Sequence, residues 1–113
     1  MNKNYMSMDE ELRKGDFLLS HNGEYKAVFQ GDGNFVVYGW KPVWESKTGH
    51  INDAQRLIMQ EDCNLVIYTA DNPVWSSGPT RSNVKTCRLT LGNDGILRID
   101  NDFVEVWKST KKN

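Results

Sequence analysis

Five residue types recur in register about thirty positions apart: Gln30, Asp32, Asn34, Val36 and Tyr38, then Gln60, Asp62, Asn64, Val66 and Tyr68. A carboxylate and two amides offer acceptors and donors in fixed directions, and a phenol does both. The valine adds a small apolar surface. A ligand rich in hydroxyls, with one C–H face, would satisfy such a set, and a hexose has that character. A plainer reading makes Asp and Asn turn formers through local side-chain hydrogen bonds. That accounts for two of the five residues, but not for Gln, Val and Tyr kept twice at the same offsets.

A third, decayed copy separates the two readings. Its corresponding residues are Gly92, Asp94, Ile96, Arg98 and Asp100, so only the Asp survives. Its apolar neighbours Leu89, Leu91, Leu97 and Ile99 are intact. Packing therefore does not need the polar set, and the first two copies carry it for another purpose. The third is read as having lost its site.

To share one surface, these side chains must ride on strands. With Asp32, Asp62 and Asp94 aligned, at spacings of 30 and 32, apolar residues fall into columns. Before the turn stand Ala27/Phe29, Leu57/Met59 and Leu89/Leu91; after it stand Phe35/Val37, Leu65/Ile67 and Leu97/Ile99. Alternation on both sides of the short polar turns GDGN, EDCN and NDGI predicts antiparallel hairpins. The columns face a core, which turns Val36, Tyr38, Val66 and Tyr68 away from it. A Val-Trp pair closes each unit: Val43-Trp44, Val74-Trp75 and Val106-Trp107. Three such units, none able to bury its apolar face alone, predict an all-β, three-sided prism with the tryptophans turned inward. Asn22-Gly23 predicts a further hairpin between FLLS and EYKAVF, and KTGHIND and SSGPTRSN read as turns. Ser7 with Glu10 resembles a helix capping box, but the segment lacks an apolar stripe and is read as non-helical. Trp40 has no counterpart in the other units; a partly buried tryptophan is the expectation there, the rim of the first site the alternative.

The 113 residues fit one domain, and a net charge of −1 gives no electrostatic case for nucleic acid or an anionic membrane. Lys108, Lys111 and Lys112 form the only basic cluster and read as a solvated tail. No apolar run is long enough to span a bilayer. The N-terminus lacks the apolar stretch of a secretory signal, which taken alone points to the cytoplasm. No pair among Cys63, Cys87, His21 and His50 has ligand-like local spacing for zinc, and no nucleophile motif is present. An enzyme is not expected.

The pattern QxDxNxVxY, in three imperfect copies each closed by a Trp, resembles the monocot or bulb-type mannose-binding lectins over residues 12–108, above all their animal branch, the fish lily-type lectins. The phrase EDCNLVIYTADNPVWSSG is especially close. The resemblance implies a single lectin domain spanning 1–113 with a β-prism II fold, three four-stranded antiparallel sheets around a pseudo-threefold axis. It also implies calcium-independent binding of D-mannose and mannose-containing glycans, with no metal or cofactor. By that likeness Asp32/Asn34 and Asp62/Asn64 hold the 2-hydroxyl, Gln30 and Gln60 the 3-hydroxyl, and Tyr38 and Tyr68 the 4-hydroxyl. Val36 and Val66 pack on the ring.

The resemblance further implies a disulfide between Cys63 and Cys87. It would close a loop of about 24 residues and stabilise by ~3 kcal/mol if unstrained; two reduced thiols are the alternative. Cys63 stands where the other turns have Gly33 and Gly95, so it needs a reason to be there. A bridge favours an oxidising compartment, and the fish lectins reach mucus without an obvious signal. Secretion is therefore expected, with cytoplasmic residence the alternative. Pairing of C-terminal strands in the family, and the character of DFVEVWKST, imply a homodimer; a part in innate defence is implied likewise. The rival reading is a non-catalytic β-prism scaffold that binds protein partners and has no sugar activity.

Overall fold

Residues 3–78 and 83–110 are described in the computed structural model. Lys111, Lys112 and the middle of the SSGPTRSN turn lie outside them. The first repeat forms β4 (Lys26–Phe29), β5 (Phe35–Tyr38) and β6 (Pro42–Glu45). The second forms β7 (Arg56–Met59), β8 (Leu65–Tyr68) and β9 (Pro73–Ser76), the third β10 (Cys87–Leu91), β11 (Leu97–Asn101) and β12 (Val104–Lys108). Each is an antiparallel meander.

The fourth strand of each sheet comes from a source the repeat pattern does not reveal. Ahead of the repeats lie three three-residue strands, β1 (Tyr5–Ser7), β2 (Glu11–Arg13) and β3 (Phe17–Leu19). They join one sheet each, giving the orders β3-β4-β5-β6, β2-β7-β8-β9 and β1-β10-β11-β12, here the first, second and third sheets. The result is the three-sided, all-β prism expected. The Ser7–Glu10 stretch is a turn between β1 and β2. It keeps half a capping box, since the Ser7 N–H donates to Glu10 Oε1 at 2.7 Å, yet no helix follows.

All twelve column residues, from Ala27 to Ile99, are fully buried. One buried residue from each added strand, Met6, Leu12 and Leu18, completes the core. The tryptophans pack on that core rather than vanish into it. Trp44, Trp75 and Trp107 are half-buried and meet edge to face in a ring, with centroids 5.9, 5.9 and 6.2 Å apart.

The Val-Trp pair has a backbone cause. In every sheet the register slips at one place: Val37 faces Trp44 but Tyr38 faces Pro42, Ile67 faces Trp75 but Tyr68 faces Pro73, and Ile99 faces Trp107 but Asp100 faces Glu105. Val43, Val74 and Val106 are thus the extra residues of three equivalent β-bulges. Val74 and Val106 are partly buried against the core, whereas Val43 is exposed.

Each hairpin turn abuts the neighbouring sheet at a residue in left-handed backbone, Gly33 (φ 93°), Cys63 (φ 70°) or Gly95 (φ 82°). A Cβ on Gly33 would lie 2.2 Å from the Ile51 carbonyl, ahead of β7; one on Gly95 would lie 2.6 Å from the Tyr25 ring, ahead of β4. At the middle seam Cys63 is disulfide-bonded to Cys87, the first residue of β10, with 5.5 Å between Cα atoms. First sheet meets second, second meets third and third meets first, so the seams close a ring.

Candidate functional site

All three turns are built alike. Gln30 N–H donates to the Asn34 carbonyl at 2.8 Å, Gln60 to Asn64 at 2.9 Å and Gly92 to Ile96 at 3.0 Å. Inside each turn the Asp carboxylate accepts the N–H two residues on: Asn34 to Asp32 at 3.0 Å, Asn64 to Asp62 and Ile96 to Asp94 at 3.1 Å. The plain turn-forming role of the Asp is therefore real in all three copies. It uses Oδ1 in each of them.

In the first two hairpins Gln and Tyr, at opposite ends of the motif, meet on the outer face. Tyr38 Oη donates to Gln30 Oε1 at 2.8 Å, and Gln60 Nε2 donates to Tyr68 Oη at 2.6 Å. The pairs run in opposite senses, and turning the amide about its last bond converts one into the other. Cross-strand cations differ too. Arg56 lies over the Tyr68 ring at 5.5 Å, while Lys26, opposite Tyr38, lies over Phe17. Between Tyr and Asn, Val36 and Val66 point outward from the central strand. They keep only 3% and 4% of their surface exposed, less than the open apolar patch the sequence suggests. They form a floor rather than a wall.

The Asn is held by a residue that repeat reading passed over. A Ser follows each Trp by two, as Ser46, Ser77 and Ser109. Its hydroxyl accepts the first N–H of the returning strand from Phe35, Leu65 and Leu97 at 3.0, 3.1 and 3.0 Å. In the first two copies it also donates to the Asn Oδ1, at 3.1 Å for Asn34 and 3.0 Å for Asn64. The V-W-x-S spacing was visible, but a polar residue after a Trp reads as ordinary surface.

The two intact hairpins are not equal. Asn34 Oδ1 also accepts the Thr48 N–H at 3.2 Å, and its Nδ2 donates to Glu45 Oε1 at 3.0 Å. Gly49 closes one side of the first site, its Cβ direction pointing at Asp32 Oδ2. In the second hairpin Ser76 takes the place of Glu45. There Glu61, in the turn, has its carboxyl held above the usual range by the Asp9 carboxyl beside it, through a side-chain hydrogen bond and like charge.

At the third turn Arg98, standing where the others have Val, reaches Asp94 with Nη2 donating to Oδ2 at 2.8 Å and Nη1 to Oδ1 at 3.3 Å. The guanidinium holds the Asp94 carboxyl below the usual carboxylate range. The one surviving motif residue is thus occupied by the protein itself. Trp40 departs from expectation: at the tip of the β5–β6 turn it is fully exposed rather than partly buried.

No family model matches the chain. It is 50% identical over 109 residues to the B-type lectin plumieribetin of Scorpaena plumieri, 96% of each chain being covered. Among solved structures it superposes on a monomeric monocot mannose-binding lectin from Gastrodia elata with TM-score 0.84 and 30% identity, over 98% of this chain and 100% of that one. The mannose-specific agglutinin of snowdrop (Galanthus nivalis) bulbs, complexed with methyl-α-D-mannoside, superposes with TM-score 0.77 and 29% identity over 98% and 99%.

Proposed function

This chain belongs to the bulb-type mannose-binding lectin family, and on that premise we propose that it binds terminal D-mannose and mannose-rich glycans through two hairpins, 30–38 and 60–68. The observation that carries the reading is the contrast among three copies of one turn. Two carry the whole set, with Gln and Tyr paired on an outward face over a valine floor, and the third keeps only the Asp, with Arg98 in place of the valine and bonded to it. In this reading Asp and Asn take one sugar hydroxyl, and the coupled Gln and Tyr take its neighbours. No bond is made or broken, and no metal takes part.

Each site is shallow, with hydrogen bonds worth about 0.5–1.5 kcal/mol net against the cost of association. Affinity for one sugar on the order of mM follows. Useful retention then rests on two sites per chain and on a homodimer that doubles them. Secretion and a part in innate defence belong to the same proposal. The Cys63–Cys87 bond supports secretion, because such bonds persist in oxidising compartments.

Calorimetry with methyl α-D-mannoside tests the site assignment. Two sites per chain are expected, one after Asp32→Ala or Asp62→Ala, none after both changes, and no response to EDTA. A folded double variant that still binds at two sites would overturn the assignment. A protein-binding scaffold would give no heat with any sugar.

A further inference from the structure

The outer face of the third sheet carries a hollow of about 420 Å³, lined by Thr86, Arg88, Thr90, Asp100, Asp102 and Phe103. It lies away from the Asp94 turn, toward the opposite end of the strands. Arg88 faces Asp100 and Thr90 faces Arg98 across β10 and β11. The Asp102 N–H, donating to the Thr86 carbonyl at 2.7 Å, brings the β11–β12 turn alongside.

Its polar groups are not consumed within the protein. Among the described residues, the side chains of Thr86, Thr90, Asp100 and Asp102 make no hydrogen bond to another residue, whereas Asp94 on the same sheet is fully engaged. Arg88 lies over the Tyr5 ring at 4.6 Å and feels the Glu10 carboxylate only at longer range, with no direct ion pair among the described residues, which leaves its N–H edges to donate. Phe103 is 97% exposed, and it follows Asp102 in a turn where both residues are left-handed, with φ of 72° and 51°. Such a turn favours Asn-Gly, so a bulky ring there is costly to the fold and gains nothing by burial.

We propose that the third face has exchanged a motif site for a different one, which takes a neutral pyranose unit. Phe103 supplies a platform for a C–H face, Asp100 and Asp102 accept hydroxyl protons, and Arg88 with the two threonines donates to ring and exocyclic oxygens. The two carboxylates repel acidic sugars. This site shares no residue with the two hairpins, so its success or failure does not depend on theirs.

The test is an amide-resolved NMR titration of the labelled protein with methyl glycosides of mannose, glucose, galactose and N-acetylglucosamine, with sialic acid for comparison. At least one neutral glycoside shifts the amides of Thr86, Arg88 and Phe103, and sialic acid does not. Phe103→Ala, which removes only exposed atoms, abolishes those shifts, and Asp100→Asn weakens them. Absence of third-face shifts up to about 50 mM, well past millimolar affinity, overturns the proposal, as does their persistence in Phe103→Ala. Mannoside shifts confined to residues 30–38 and 60–68 report on the hairpins alone.

Discussion

The Asn34 amide is engaged by Ser46 and Thr48 at its oxygen and by Glu45 at its nitrogen, while the second hairpin has Ser76 in place of Glu45. Glu45 thus takes one of the two amide protons, and a ligand hydroxyl aimed at that proton must compete with the carboxylate. Losing that competitor is worth about 1 kcal/mol, or roughly fivefold. Glu45→Ser, measured calorimetrically in an Asp62→Ala background, should tighten the first site for methyl mannoside by that factor. Cys63 makes a second residue-scale argument, because it holds a left-handed backbone that its counterparts leave to glycine. In a Cys87→Ala background, with the bridge already gone, Cys63→Gly should be more stable than Cys63→Ser by about 1 kcal/mol in urea unfolding. At Phe103 the same logic predicts that glycine stabilises by about 0.5–1 kcal/mol net, the relief of strain exceeding the entropy glycine adds to the unfolded chain.

At the scale of the hairpin, the second and third turns titrate in opposite senses. Asp94 is held below its ordinary range by Arg98, so its contribution to stability is present above the unfolded carboxylate pKa and lost as pH falls through the depressed value. The stability difference between wild type and Arg98→Gln should therefore shrink on acidification below about pH 4 in urea melts. Glu61 is held up by Asp9, so its contribution is present below the ordinary pKa and lost as pH rises through the raised value; Asp9→Asn should flatten that loss. The hairpins themselves were legible because period-2 columns and polar turns speak through residue type alone. The strands β1 to β3 were not, since three residues hold too little alternation to declare a partner, and their partners lie in other repeats. The bulges hid behind Val-Trp, which reads as a packing pair until the register shows an extra residue. Exposure of Trp40 and burial of Val36 depend on what neighbouring elements cover, which no local pattern records.

In the molecule as a whole, three unlike fastenings close one ring: a carbonyl packed on Gly33, a disulfide at Cys63 and an aromatic ring packed on Gly95. Their stiffness should differ. Gly33→Ala drives a methyl into backbone and should cost about 3 kcal/mol or more, while at Gly95 the methyl meets a side chain, Tyr25, rather than backbone, and the loss should be smaller. Urea unfolding of the two variants checks the order. The same circuit would give the two proposed sugar sites a rigid base, since each turn is braced by the next sheet. The N-terminal strands complete the circuit, and they impose an order in time. On the ribosome, β3 meets β4 almost at once, β2 waits for β7, and Tyr5 must wait for Thr90. At about 5–20 residues per second that delay is on the order of 5–15 s. The earliest made of these strands thus waits longest for its partner, and until it docks the β10 edge is open to any other chain that can offer a strand.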